Sequence, residues 1–139
     1  MSMQAPHWTE AYLGLPYEKG GMGPDVFNCW SFFRHVQLAE FGRAVPAIEE
    51  PDRLMAIARM FRDRRDSLGW VKVADRRSGD AVLMAHANHA SHVGIWVADI
   101  GRGAVLHSVP GAGSVCHPIG HLEIARWRLT DFYRPAVET

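Results

Sequence analysis

The hydrophobic pattern changes at Gly69, and this change constrains the fold of the chain more than any other feature of its sequence. Before Gly69, the pattern predicts a helix from Cys29 to about Phe41 that is closed by Gly42, a residue type that commonly ends helices. A second helix is predicted to begin at Pro51, because proline is favoured at the first helical position. After Gly69 the apolar segments are short and separated by turns, which is typical of strands. Helices followed by strands indicate an α+β fold, with the N-terminal helices packed on an antiparallel sheet of about five or six strands.

Residue spacing defines the predicted elements further. The second helix has an apolar stripe at helical spacing, whereas its arginines lie off the stripe and are expected to face solvent. The stripe consists of Leu54, Ile57, Ala58 and Phe61, and the arginines are Arg53, Arg59, Arg62, Arg64 and Arg65. A short helix or turn is predicted over residues 8–15, and strands are predicted over residues 70–73, 81–84, 92–98, 104–109, 114–117, 126–129 and 132–134.

Length and composition limit the classes of function. A chain of 139 residues with 47% hydrophobic and 22% charged residues is typical of one globular domain, which we predict to span residues 1–139. The formal net charge is zero, so no basic surface indicates nucleic-acid binding, and no apolar run approaches the length of a membrane span. Residues 1–10 lack the basic and apolar segments of a secretory signal, so we expect synthesis in the cytoplasm.

Cys29 is the residue most suited to covalent chemistry. It follows a turn-forming stretch that ends at Asn28, and it opens the first predicted helix. At a helix start, unpaired backbone N–H groups and the positive end of the helix dipole favour a thiolate, which is a nucleophile at neutral pH. The alternatives are an inert buried cysteine and a disulfide with Cys116, which we expect to lie in a strand as a small hydrophobic residue.

Two histidines in successive predicted strands offer a base for this thiol. His92 opens one strand, His107 lies within the next, and a glycine-rich turn joins them. If both side chains point to the same face of the sheet, they can stack in front of the helix that carries Cys29. The order cysteine, histidine, polar residue is that of papain-like catalysis, in which a thiol attacks, an imidazole moves the proton and a third group orients the imidazole. Alternatively each is structural, with His92 bonded to a backbone carbonyl and His107 exposed on the other face.

Five short segments, taken in order along the chain, carry a resemblance to a known family. They are Leu13-Gly14-Leu15-Pro16-Tyr17 with Gly20-Gly21, Asn28-Cys29-Trp30, Ser78-Gly79-Asp80-Ala81-Val82, His92-Val93-Gly94-Ile95-Trp96, and Val105-Leu106-His107-Ser108. The chain resembles the NlpC family of papain-like cell-wall cysteine peptidases, most closely the branch found in phage tail assembly proteins and gene-transfer-agent particles. The resemblance covers nearly the whole chain and implies a papain-like α+β fold.

The resemblance implies a role for each matching position. Cys29 is similar to the nucleophile, His92 to the general base, and His107 to the third residue, which orients the base. Tyr17 is similar to a tyrosine whose hydroxyl lines the active site near the oxyanion; alternatively it is a packing residue. Members of the family cut peptide stems of peptidoglycan, commonly between γ-D-glutamate and the diamino acid. The implied substrate is therefore a peptidoglycan stem peptide, the implied partners are other tail proteins, and the implied location is a virion or phage-like tail.

Two departures from the family pattern bear on the substrate groove. The family usually has aspartate before the cysteine, where this chain has Asn28, and a small glycine where it has Ser31. Asparagine caps a helix about as well as aspartate does, so the helix start is retained. The residues that we predict to line the groove are Trp30, Ser31, His86 and His89.

The three-residue spacing of His86, His89 and His92 also suggests an alternative metal site. Zinc binds imidazole and thiolate, so these histidines could act together with Cys29. A loop before a strand does not hold such residues on one face, so we expect no metal and no cofactor, and we place His86 and His89 in an exposed loop. A further alternative is a non-catalytic tail-assembly module that keeps the fold, which the two departures leave open.

Overall fold

The computed structural model of the chain describes residues 6–51, 53, 55–63, 68–86 and 89–137, and it describes residues 89–91 by their backbone alone. The helices are α1 (Cys29–Phe41), α2 (Ala56–Asp63) and α3 (Ile119–Ile124), preceded by a 3-10 helix over Trp8–Tyr12. The strands are β1 (Trp70–Lys72), β2 (Ala81–His86), β3 (His89–Val97), β4 (Ala104–Val109), β5 (Gly113–Pro118) and β6 (Trp127–Pro135). This content confirms the predicted α+β fold.

The described strands form one sheet in the order β1-β6-β2-β3-β4-β5, and each recorded pairing is antiparallel. Strands β2 to β5 form a meander, in which sequence neighbours are also neighbours in the sheet. Strand β6, which comes last in the chain, lies in the interior between β1 and β2. The meander places β3 and β4, which carry His92 and His107, side by side.

Helix α1 begins at Cys29 because Asn28 caps it. The Asn28 side chain accepts a hydrogen bond from the Ser31 backbone N–H at 2.8 Å, and the Ser31 hydroxyl accepts one from the Asn28 N–H at 3.0 Å. This reciprocal capping box satisfies two N–H groups that the helix itself cannot pair. Gly42 then ends the helix in the left-handed region, where glycine meets no Cβ penalty. The predicted bounds Cys29 to Phe41 are confirmed.

One face of the sheet, which we call the helical face, packs against the first two helices, with α1 on β3 and β4 and α2 on β3. Aromatic rings fill this layer. The Phe61 ring stacks on Tyr133 with centroids 5.0 Å apart and meets Trp70 at 5.7 Å, and Trp30 stacks on Phe33 at 5.3 Å. The strand residues in this cluster are Trp70, Ala81, Leu83, Val93, Ile95, Val97, Ala104, Leu106 and Tyr133.

The opposite face, which we call the histidine face, carries the intervening strand residues. Its buried cluster consists of Val82, Met84, Trp96, Val105, Leu122 and Phe132, and Trp127 packs against it. Leu122 belongs to α3, so this short helix covers part of the face. His92 lies opposite Met84 in the β2–β3 register and therefore points to the same face.

The predicted start of the second helix is wrong. Helix α2 begins at Ala56, and Pro51 lies in a turn before it. Within α2, Ile57 and Phe61 are buried, which confirms that part of the apolar stripe. The stripe residue Leu54 and the arginines Arg64 and Arg65 lie outside the described residues.

Strands β2, β3 and β5 are longer than predicted, β4 has its predicted bounds, and β1 ends one residue early, at Lys72. The segments 126–129 and 132–134 belong to one strand, β6, because a register shift between Leu83 and Met84 lets it continue along β2. Strand β2 reaches His86 and β3 begins at His89, so a hairpin replaces the predicted exposed loop, with residues 87–88 outside the described part. Helix α3 was not predicted. None of the described helices has the length and apolar character needed to cross a bilayer.

Candidate active site

Cys29 occupies the first turn of α1, on the helical face of the sheet. It is buried in the same cluster as Val93 and Leu106, which are the sequence neighbours of His92 and His107. Helix α1 packs against β3 and β4, so the helix that begins with Cys29 contacts the two strands that carry the histidines.

Cys116 differs from Cys29 in its surroundings. It lies half-buried in β5, and burial, followed by the negative charge of Asp99, raises the pKa of its thiol to about 11. A thiol with this pKa is protonated at neutral pH and is a poor nucleophile. Neither cysteine forms a disulfide, and Cys116 lies in a strand as the sequence predicts.

Tyr17 is tied to the segment that leads into α1. It forms a parallel bridge with Phe27, which precedes Cys29 by two residues. On either side of this bridge, the Glu18 N–H donates to the Phe27 carbonyl and the Phe27 N–H donates to the Pro16 carbonyl, each at 3.0 Å. The backbone of Tyr17 is therefore held beside the helix start, and its role near an oxyanion stays a prediction.

His92 and His107 are joined by a hydrogen bond. The Nε2 atom of His92 lies 2.8 Å from the Nδ1 atom of His107, and both side chains are buried. The two rings thus point to one face of the sheet, which was the condition for them to act together. Because Nε2 of His92 is bound to His107, Nδ1 is the His92 nitrogen that remains for exchanging a proton with a thiol.

The histidine pair lies beyond the end of the backbone pairing between β3 and β4. The recorded register pairs Val97 with Ala104, Trp96 with Val105 and Ile95 with Leu106. Close approach of the strands next to the histidines requires Gly94. A Cβ atom at Gly94 would lie 2.2 Å from Val105 Cγ1 and 3.2 Å from His107 Cβ, closer than side-chain atoms pack. Gly94 lies between His92 and the paired region, and its lack of a side chain leaves room for His107.

Strand alternation decides which face of the sheet the two histidines take. Strand alternation turns Val93 and Leu106 toward the helix, so His92 and His107 point to the histidine face. The thiol of Cys29 belongs to the helical face.

Sequence reasoning missed His117, which extends the pair to a series of three. The Nε2 atom of His107 lies 3.0 Å from the Nδ1 atom of His117. His117 is opposite Val105 in the β4–β5 register and so shares the histidine face. The sequence signal that could have identified His117 is its position next to Cys116 in a predicted strand. Only the register between β4 and β5 shows that its side chain meets His107.

Trp127, also missed, covers these imidazoles. Its ring centroid lies 4.6 Å from that of His92, 5.7 Å from that of His107 and 4.9 Å from that of His86. The indole comes from β6 and is partly exposed. It separates the histidine pair from solvent on this side of the sheet.

Burial lowers the pKa of all three hydrogen-bonded histidines. The pKa of His92 falls to about 3, because burial penalises the charged ring and His86 adds repulsion. Burial also lowers the pKa of His107, with repulsion from His92 and His117, and the pKa of His117, with repulsion from His121. At pH 7 the imidazoles are therefore neutral, which is the form that accepts a proton.

Trp30 and Ser31, two of the predicted groove residues, are buried and hydrogen-bonded. Trp30 is 1% exposed, and its indole N–H donates to the Pro46 carbonyl at 2.9 Å. The Ser31 hydroxyl donates to the Gly21 carbonyl at 2.7 Å and takes part in the capping box. Core packing and helix capping occupy these side chains, which also line a cavity beside Asn28, and their groove role stays a prediction.

The other two predicted groove residues lie at the β2–β3 hairpin. His86 is half-buried against Trp127, and the side chain of His89 lies outside the described residues, so the groove role of both stays a prediction. Among the residues that the structure describes, no group of three or more metal-ligating side chains is arranged to hold an ion. The alternative metal site includes His89 and extends beyond that part.

Ser108 adds a buried hydroxyl next to His107. Within the described part of the chain its Oγ has no hydrogen-bond partner. Its register partner Ser114 accepts a hydrogen bond from the Leu15 N–H and donates one to the Tyr12 carbonyl. Alternation turns Ser108 toward the helical face, so an unused polar atom lies on the same side of β4 as the thiol.

The arrangement has the parts of nucleophilic catalysis. A thiol at a helix start can act as a nucleophile, a buried neutral imidazole can act as a base, and a second imidazole can orient the first. Backbone N–H groups at the start of α1 are donors suited to a developing oxyanion.

Comparisons with known proteins bear on the family and the fold of the chain. Residues 14–124 match the sequence model of the NlpC/P60 family. The chain is 27% identical over 122 residues to Protein P54 of Enterococcus faecium, a match that covers 87% of the chain and 20% of P54, so the chain spans about a fifth of that protein. It superposes on the crystal structure of the NlpC/p60 domain of the peptidoglycan hydrolase SagA with a TM-score of 0.53, 23% identity and 90% coverage of both chains. At this identity, the structural likeness supports the fold.

Proposed function

The chain belongs to the NlpC/P60 family, and from this premise we propose that it is a cysteine peptidase that hydrolyses the peptide stems of peptidoglycan. The structural neighbour SagA is described as a peptidoglycan hydrolase, which favours the same substrate class here. The bond that we propose is cut joins γ-D-glutamate to the diamino acid, as the sequence resemblance implies.

The observation that carries this proposal is the buried hydrogen bond between His92 and His107 on the two strands that receive α1. A strand histidine that served only packing would not need a second imidazole 2.8 Å from its Nε2 atom. That contact leaves Nδ1 of His92 available and fixes the ring, which is what a general base requires.

In the first half of the proposed reaction, the Cys29 sulfur attacks the scissile carbonyl carbon while Nδ1 of His92 accepts the thiol proton. The negative charge on the carbonyl oxygen is stabilised by the Cys29 backbone N–H and by the Tyr17 hydroxyl. The C–N bond then breaks, and His92 returns the proton to the leaving amine. A thioester on Cys29 remains.

In the second half, water replaces the amine. Neutral His92 accepts a proton from the water as the oxygen attacks the thioester carbonyl, and the C–S bond breaks with return of the proton to sulfur. His107 holds the imidazolium of His92 through its Nδ1 acceptor in both halves. The products are a free carboxylate and a free amine.

Two cysteine variants test the proposal, because the chain offers a matched control. Cys29→Ala should abolish hydrolysis of purified muropeptides, measured by mass spectrometry of the products, whereas Cys116→Ala should keep it. Circular dichroism establishes that both variants fold. Hydrolysis that persists in Cys29→Ala would eliminate the mechanism, and the product masses identify the bond.

We further propose that the protein is made in the cytoplasm and acts in association with a phage-like tail. The sequence resemblance to the tail-assembly and gene-transfer-agent branch supports this location. Proteomic analysis of purified particles from cells that carry the gene should find the chain together with tail proteins. Its absence from such particles, with the protein present in the cell, would contradict the association.

A non-catalytic tail-assembly module is the competing proposal, and it was motivated by Asn28 and Ser31. These residues form the capping box that starts α1. This capping role accounts for both residues and weakens the argument for a non-catalytic module. The alkylation rate of Cys29 by iodoacetamide separates the two proposals. A peptidase thiol should react faster than free cysteine below pH 7, whereas an equal rate favours the structural module.

A further inference from the structure

Three histidines from three neighbouring strands form one hydrogen-bonded series. His92 Nε2 lies 2.8 Å from His107 Nδ1, and His107 Nε2 lies 3.0 Å from His117 Nδ1. His92 is on β3, His107 on β4 and His117 on β5. Both ring nitrogens of His107 therefore take part in hydrogen bonds. Neutral His107 carries a single ring proton, and the nitrogen that holds this proton decides the direction of both hydrogen bonds.

In one direction, the series supports catalysis. If neutral His117 accepts at Nδ1, His107 carries its proton on Nε2 and accepts at Nδ1 from the Nε2–H of His92. Neutral His92 then has its lone pair on Nδ1, the atom that must take the thiol proton. The series therefore presents His92 in the tautomer that can act as a base.

In the other direction, the series blocks catalysis. A protonated His117 carries a proton on Nδ1 and must donate it toward Nε2 of His107. Neutral His107 then has its proton on Nδ1 and donates it to Nε2 of His92, which leaves the His92 proton on Nδ1. In this state His92 presents a donor to the thiol and cannot accept its proton.

We propose that His117 is a positioning residue whose neutral form sets the tautomers of His107 and His92, and whose protonation switches the base off. The proposal rests on the proposed function for its effect on rate, but the tautomers themselves are independent of the substrate. His117 touches neither the thiol nor the substrate in this scheme, and it acts through His107 alone.

His117 is the member of the series that solvent protons reach first. His92 and His107 are buried, whereas His117 is only partly buried at the edge strand β5. The titratable groups that face it are His107 from β4 and His121 from α3. Burial and then the charge of His121 lower its pKa, so the switch lies on the acid side of the usual histidine range.

Variants at His117 and His121 test this assignment through the pH profile of kcat on muropeptides. His117→Leu removes the acceptor and should lower kcat at neutral pH about tenfold, the scale of one lost hydrogen bond, with KM unchanged. His117→Asn offers a carbonyl acceptor that does not titrate, so it should restore kcat and move the acid limb to lower pH. His121→Asn is the matched control: it removes a repulsion, so the acid limb should move to higher pH.

Long-range ¹H–¹⁵N spectra of the imidazoles read the tautomers without substrate. The folded wild-type chain should carry the His107 proton on Nε2 at neutral pH and on Nδ1 once His117 is protonated. A His107 proton that stays on the same nitrogen through this titration overturns the proposal, as does a His117→Asn profile that superposes on that of the wild type. If the wild type hydrolyses no muropeptide, the proposed function fails, and the spectra alone decide the role of His117.

Discussion

The two faces of the sheet are built from alternate residues of the same strands, but they are filled differently. The helical face is packed with aromatic rings, such as Phe61 against Tyr133 and Trp70. The histidine face holds imidazoles that are buried, hydrogen-bonded to one another and covered by Trp127. Apolar burial stabilises the first, whereas the second holds ionisable groups at a desolvation cost. The comparison teaches that core residues and hydrogen-bonded imidazoles alternate along β3 and β4, one residue apart.

The largest expected effect is on activity, from the histidine face. His92→Ala should lower kcat/KM by about a hundredfold to ten-thousandfold, the usual contribution of a general base. The control is His35→Ala, which removes an exposed histidine of α1 and should leave the rate unchanged. Muropeptide hydrolysis measures both variants, and a His92→Ala rate within a factor of two of the wild type would contradict the division between the faces.

The helical face should respond through stability. Phe61→Ala removes a fully buried ring from the aromatic layer and should lower the free energy of unfolding by about 3–5 kcal/mol. Val71→Ala on β1 changes an exposed side chain and should stay within about 0.5 kcal/mol. Denaturant unfolding compares the two, and a loss below 1 kcal/mol for Phe61→Ala would show that this layer does not dominate stability.

Acid should destabilise the protein through the histidine face. The pKa of His92 is about 3 in the folded chain against 6.5 for a free side chain, so the unfolded state binds more protons between these values. Stability is therefore complete above pH 6.5 and declines as the pH falls toward 3. Since one pKa unit corresponds to about 1.4 kcal/mol, the loss from this residue amounts to a few kcal/mol. Urea unfolding at several pH values checks the slope, which should be smaller in His92→Ala.

Gly94 tests the close approach between β3 and β4. Gly94→Ala places a Cβ 2.2 Å from Val105 Cγ1, so the strands must shift, at an expected cost of about 1–3 kcal/mol. Displacement of His107 should also reduce activity in the molecules that remain folded. Gly120→Ala is the control, because nothing lies within 4 Å of its Cβ. Equal melting temperatures for the two variants would argue against close packing of β3 and β4 at Gly94.

Ser108 gives the smallest expected effect. Its buried Oγ lacks a partner among the described residues, so Ser108→Ala removes a desolvated polar atom and should stabilise the fold by about 1 kcal/mol. Thermal unfolding measures the change. A destabilisation of similar size would mean that the hydroxyl is bonded in solution.

The sequence predicted the parts of the site better than their arrangement. Asn28 and Gly42 are local signals, since capping and left-handed backbone depend on neighbouring residues, and they set the bounds of α1 correctly. The short β-branched and aromatic segment that His92 opens likewise predicted a strand. Which face each histidine takes relative to α1 depends on long-range packing, which local sequence signals do not report.

Features that depend on strand register could not be predicted from one chain. His117 meets His107 only because β5 pairs with β4 in a particular register. Trp127 reaches the imidazoles because β6 crosses back to pair with β2. The start of α2 after Pro51 and the burial of Trp30 were also set by tertiary packing, which overrides local preference.

The interior position of β6 has a consequence for biosynthesis. Residues 127–135 leave the ribosome after the other described strands, yet they fill the gap between β1 and β2. Until then, a nascent chain presents an open edge on β2 and lacks the indole that shields the imidazoles. Stalled or truncated chains should therefore be prone to aggregate and should lack hydrolytic activity. The protein would become active only after this strand has been translated.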